Sequence, residues 1–78
     1  MKYYTRESIE LEDYVELSSN VFGIVVAIIQ ESKYSKLYPK EEWDYLEYGL
    51  LVLSDQAGLI HYPQVTEEIT FVNHNQDK

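Results

Sequence analysis

The 78 residues suffice for one small domain, and a chain of this size buries only about 60% of the surface it exposes unfolded, which excludes a large lidded cleft and a separate cofactor domain. Apolar residues at 45% and charged residues at 26% give a globular balance, and the absence of cysteine excludes a disulfide framework and a thiolate metal site. Fourteen acids against six bases leave a net charge of −8, which repels phosphate and anionic lipid and sets direct nucleic-acid binding at a disadvantage.

Residues 1–8 read as an N-terminal arm. From Ile9 the apolar positions alternate: Ile9, Leu11, Val15 and Leu17 share one parity, with Glu10, Glu12 and Glu16 on the other, as in a half-buried strand. Asp13 falls on the inward parity, so a bend or bulge is expected there, or a strand that begins only at Tyr14. Ser18-Ser19-Asn20 supplies turn chemistry. Val21 to Ile29 is rich in β-branched residues and too short for a buried helix, so it reads as a long central strand with a bulge or bent corner at Gly23.

The stretch from Gln30 to Glu47 is irregular. Pro39 suits the first position of a helix, and Glu41, Glu42 and Asp44 complement the helix dipole. A short helix over Lys40–Leu46 is expected, with Trp43 and Leu46 facing inward. Tyr48–Leu53 reads as a third strand, Ser54–Gly58 as a turn, and Leu59–Tyr62 as a fourth strand stopped by Pro63. Val65–Glu68 looks like a single helical turn, Ile69–Val72 like a fifth strand, and residues 73–78 like a frayed tail.

The N-terminal residues carry no apolar run behind their bases, so no signal peptide is expected. The longest apolar run, Val21 to Ile29, is about half the roughly 20 residues that a membrane-spanning helix needs. The expected setting is the cytoplasm, or a virion if the chain is phage-encoded.

Five short strands, one long excursion and a helical turn before the last strand give the element order of a small barrel, whose closure removes free strand edges. Asp13-Tyr14-Val15-Glu16-Leu17, a turn, then Phe22-Gly23-Ile24-Val25-Val26 resembles the opening hairpin of KOW-like and other SH3-like barrels. The rhythm of Tyr48 to Val72 is similar to the second half of such barrels. The resemblance implies a mainly-β, five-stranded SH3-like barrel with a long excursion between its second and third strands, and it implies no activity. KOW members usually present basic loops to RNA, whereas here the matching strand carries Glu12, Asp13 and Glu16.

Little in the chain suggests chemistry. No serine sits in a Gly-x-Ser-x-Gly context, and the three glycines are scattered rather than forming a phosphate cradle. The two histidines match no zinc spacing; His61 reads as a structural histidine in a short strand, and His74 as solvated in the polar tail. Glu41, Glu42, Asp44 and Glu47 could pair carboxylates for acid–base work or a hard cation, but an acidic helix start is the simpler reading. Lys33, Lys36 and Lys40, interleaved with Tyr34 and Tyr38, could form a stacking platform for single strands or simply a solvated loop. No enzyme, cofactor, metal or small-molecule substrate is expected.

The informative feature is a surplus of apolar side chains. In Val21–Ile29 and again in Tyr48–Leu53 both parities are apolar, although a small barrel has one interior. Left in water, the second set would cost several kcal/mol at about 25 cal/mol per Å². The excursion must cover it, with Trp43, Tyr45 and Leu46 as a lid, or another protein chain must. The expectation is a docking module acting as a homo-oligomer or as a subunit of a larger assembly, with Val26, Ile28, Trp43, Tyr45 and Tyr48 as the contact surface. Small acidic barrels of this kind resemble accessory proteins of bacteria and their viruses. The alternative is an acidic mimic of nucleic acid that blocks a nucleic-acid-binding protein, carried by Glu10, Glu12, Glu16, Glu41, Glu42 and Asp44.

Overall fold

Val15 and Leu17 point inward from a strand flanked by Tyr14 and Glu16, and that strand opens the sheet in the computed structural model, which describes residues 1–18 and 20–74. Strand β1 covers Tyr14–Ser18, β2 Val21–Ile28, β3 Lys33–Tyr34, β4 Leu50–Ser54, β5 Gly58–Tyr62 and β6 Thr70–Asn73. The one α-helix among the described residues, α1, spans Lys40–Trp43 behind Pro39 and runs into a 3₁₀ turn at Asp44–Leu46. Together these match the helix expected over Lys40–Leu46. Ser19, in the expected turn, lies outside the described residues, as does the tail beyond His74.

The sheet is antiparallel, with the order β5-β4-β2-β1-β6, and β3 pairs with the far end of β2. No pairing joins β5 to β6 among the described residues, so the sheet is open where a closed barrel was expected. Among the described residues it has six strands rather than five. The additional strand, β3, is too short for its side chains to alternate legibly. A 3₁₀ turn at Ile29–Glu31 and a left-handed Ser32 (φ 58°) fold the chain back so that Tyr34 meets Ala27 and Lys33 meets Ile28.

The two apolar parities of β2 have a geometric origin. Its register against β4 slips by one residue: Val25 faces Val52, but Ala27 already faces Leu51, leaving Val26 as an extra residue. Such a bulge reverses which side successive residues face. Val25 and Ile28 therefore both enter the main core, although they have opposite parity, while Val26, Ala27 and Ile29 join the opposite layer. Gly23 is not the bulge expected from the sequence. Its pairing with Val15 and Ser54 is regular, and a Cβ there would sit 2.6 Å from Val52 Cγ1 and 3.0 Å from the Leu53 carbonyl. Glycine is required at this position by close approach of β4.

The main core lies on one face of the sheet, where Val15, Leu17, Val25, Ile28, Leu50 and Val52 pack with Tyr3, Ile9 and Ile69. Residues 1–8, expected as an arm, instead form part of this core's cover. Lys2 bridges Ser8, the Tyr3 N–H donates to the Glu7 carbonyl, and the Ile9 N–H donates to the Met1 carbonyl. This tight fold drives Tyr3 and Ile9 inward. The expected helical turn before the last strand is a simple turn, closed by the Ile69 N–H on the Thr66 carbonyl.

Candidate functional site

The excursion lies across the second face. Tyr34, Tyr38, Trp43 and Leu46 pack on Val26, Ala27, Ile29 and Leu51. Burying Val26, Ile29 and Leu51 in that layer contributes about 1.5–3 kcal/mol each relative to leaving them in water. The chain thus covers much of its own apolar surplus. Trp43 stacks on Tyr45 at a centroid distance of 6.4 Å and meets Tyr38 at a tilt of 52° and 6.0 Å.

This arrangement redistributes the five expected contact residues. Ile28 is fully buried in the main core and is not part of any contact surface, because the bulge at Val26 turns it inward. Trp43 is half-buried and belongs to the internal lid. Tyr45 and Tyr48 are 68% and 61% exposed and do not pack on the layer of Val26, Ala27, Ile29 and Leu51, although Tyr45 stacks on Trp43 from outside. Val26 is buried yet lines an open groove at the lid's edge.

That groove is the uncovered part of the second face. It has a volume of about 610 Å³ and is lined by Ile24, Val26, Leu53, Leu37 and Tyr38, with Glu12, Ser35 and Lys36 at its margins. A second hollow of about 340 Å³ continues from Ile24 and Leu53 to Tyr14 and Phe22, ending at Asp55. Tyr14 and Phe22 stack there at 5.4 Å and 11°. Leu37 is 83% exposed and Leu53 40%, although Leu53 occupies a central strand. The excursion rejoins the sheet at β4 through Gly49. Gly49 has φ +83° and lies so close to β5 that a Cβ would be 1.9 Å from the Tyr62 carbonyl oxygen.

The six acids of the alternative reading occupy different parts of the fold. Glu41, Glu42 and Asp44 lie exposed in α1 and the 3₁₀ turn after it. Glu12 stands at the groove with φ +70°, and Glu16 accepts a hydrogen bond from the Asn20 N–H at 3.3 Å. Glu10 is beside His74, with 3.7 Å between Oε1 and Nδ1. The lysine–tyrosine stretch is not a free stacking platform: Tyr34 and Tyr38 pack inward, and Lys33 pairs with Glu31 at 3.4 Å.

A polar cluster the sequence reading missed sits at the start of β1. Asp13 is buried and accepts hydrogen bonds on Oδ2 from the Tyr3 hydroxyl (2.6 Å) and the Glu10 N–H (2.9 Å). On Oδ1 it meets His74 Nδ1 at 2.7 Å. Burial, then the Asp13 hydrogen bond and charge, push the Tyr3 phenol far above its usual range, so it stays a donor. The hydrogen bond to Asp13 raises the His74 pKa above 6.5, against a smaller opposing effect of desolvation, with the Asp13, Glu10 and Glu7 charges adding to the rise. His74 also packs on Phe71, which in turn contacts Tyr3. His74 is therefore not simply solvated. Glu10, Asp13 and His74 place ligand-type atoms within 4.8 Å of one another and are the residues that could hold a cation. Both Asp13 oxygens are already engaged by the fold, so the cluster serves as a clasp between the N-terminal turn, β1 and the chain after β6. The one legible sign was Asp13 itself, an acid on the inward parity.

His61 Nε2 hydrogen-bonds the Tyr48 carbonyl at 3.0 Å, tying β5 to the end of the excursion. No helix among the described residues is long and apolar enough to cross a membrane. Comparison with known proteins finds no matching protein family, no matching characterised protein and no matching solved structure.

Proposed function

We propose that this protein is a non-enzymatic protein-interaction module. One observation carries the reading: the chain covers part of its second apolar face with its own excursion and leaves the rest, from Val26 through Ile24 and Leu53 to Phe22, as an open trough. Leucine exposed on a central strand is a cost to a free monomer that a partner's contact removes. Both histidines bind groups of the fold itself, which supports structural rather than chemical roles for them. The proposed arrangement is SH3-like: setting β3 aside, the last strand flanks the first and the others form a meander.

The test is site-specific photo-crosslinking in the cells that make the protein, with the crosslinking residue at Leu53, at Leu37, or at Val72, an exposed apolar position on β6 outside the groove. The expected result is a discrete adduct from the first two positions and none from Val72. Equal labelling at all three, or none at any, would overturn the reading.

A further inference from the structure

We infer that the trough takes a short, extended, positively charged segment of another protein, anchored by apolar side chains. This inference rests on the interaction reading and adds the chemistry of the partner. The floor is Ile24, Val26 and Leu53, and Leu37 and Tyr38 form one wall. From Val26 to Phe22 the trough follows β2 for roughly 13 Å at about 3.3 Å per residue, which fits four or five residues of extended chain. Two apolar hollows meet at Ile24 and Leu53, so alternate side chains of such a segment have a place to enter.

The margins decide the partner's charge. Glu12 stands at one end, Asp55 at the other, and Glu16 is paired across from Phe22 on β1. Lys36 is the one cation lining either hollow. Two lining carboxylates against one ammonium, with Glu16 beside Phe22 on the neighbouring strand, leave the rim negative within a molecule of net charge −8. A second copy would bring another −8 to the same place, whereas a cationic segment gains attraction both on approach and when docked. Arginine or lysine side chains flanking apolar anchors match this pattern of floor and rim.

The probes are three blocked hexapeptides of alternating residues: Arg-Leu-Arg-Phe-Arg-Leu, its Gln-for-Arg counterpart and its Glu-for-Arg counterpart. They are titrated into the ¹⁵N-labelled full chain while amide shifts are followed. The cationic peptide is expected to move the amides of Ile24, Val26, Leu37 and Leu53, to bind about tenfold or more tightly than the Gln peptide, and to lose that advantage at high salt. Glu12→Gln with Asp55→Asn is expected to shrink the advantage, and Leu53→Lys to abolish binding. Leu37→Lys provides the same test on an exposed loop if the strand variant is unfolded. Equal binding of the Gln and Arg peptides in the trough overturns the charge assignment and leaves the interaction reading standing. Concentration-dependent self-association lost in Leu37→Lys also overturns it, in favour of a second copy. Shifts away from the trough with every peptide, or none, overturn both.

Discussion

His74 Nδ1 lies 2.7 Å from the buried carboxylate of Asp13, a residue 61 positions earlier in the chain. The contact joins the chain just after the last strand to the residue just before the first, and Tyr3 completes it from the N-terminal turn. Three segments distant in sequence are thus held by one carboxylate, on the side of the sheet where the main core would otherwise open.

The clasp predicts an unequal pair of mutations. Tyr3→Phe removes one donor from Asp13 and keeps the ring's packing, so it should cost about 1–3 kcal/mol. Asp13→Ala leaves the Tyr3 hydroxyl and the Glu10 N–H without their acceptor and should cost more, about 3–5 kcal/mol. Urea denaturation of both variants checks the order; equal losses would show that the carboxylate holds nothing beyond Tyr3.

Stability should depend on pH through His74. Its pKa in the fold is raised above the ordinary 6.5. A raised cationic group stabilises fully below its unfolded value, and the contribution is lost as pH climbs through the folded value. The urea midpoint should therefore fall as pH rises from about 6.5 upward, and His74→Gln should flatten that decline. An unchanged slope in the variant would exclude His74 as its source.

Two left-handed glycines should respond differently to alanine. At Gly49 the added Cβ would meet the Tyr62 carbonyl oxygen at 1.9 Å, backbone that cannot move without separating the excursion from β5. At Gly58 (φ +78°) nothing lies within 4 Å. Gly58→Ala should cost about 1–2 kcal/mol from backbone strain alone, while Gly49→Ala should cost several-fold more or prevent folding. Thermal melts of the two variants make the comparison.

The lid predicts a further contrast at the single tryptophan. The Trp43 indole Nε1 is buried and has no hydrogen-bond partner among the described residues. Trp43→Phe should therefore cost little beyond lost volume, under about 1.5 kcal/mol, whereas Trp43→Ala should cost about 3 kcal/mol by uncovering Val26, Ala27 and Leu51. A dye that fluoresces on apolar surfaces should bind the alanine variant more strongly than the native chain. Equal stability of the two variants would show that the ring does not act as a cover.

All the strands but β3, and the helical stretch at Lys40–Leu46, were legible because each rests on a local pattern of alternation or a proline before acids. Asp13 on an apolar parity marked the place where β1 starts or bends. The surplus of apolar residues in Val21–Ile29 was legible too, but its resolution was not. A bulge depends on how β4 lies beside β2, and only that register shows Val25 and Ile28 on one face and Val26 and Ala27 on the other. The expected contact at Ile28 failed for this reason.

Composition and periodicity by themselves determined a small, acidic, mainly-β domain with more apolar strand surface than one interior holds. Tertiary structure alone decided how that surface is divided between a core, an internal lid and an open trough. It also decided that Asp13, Tyr3 and His74 meet. Both outcomes depend on contacts between residues far apart in the chain, and the energies of such contacts leave no trace in the order of neighbouring side chains.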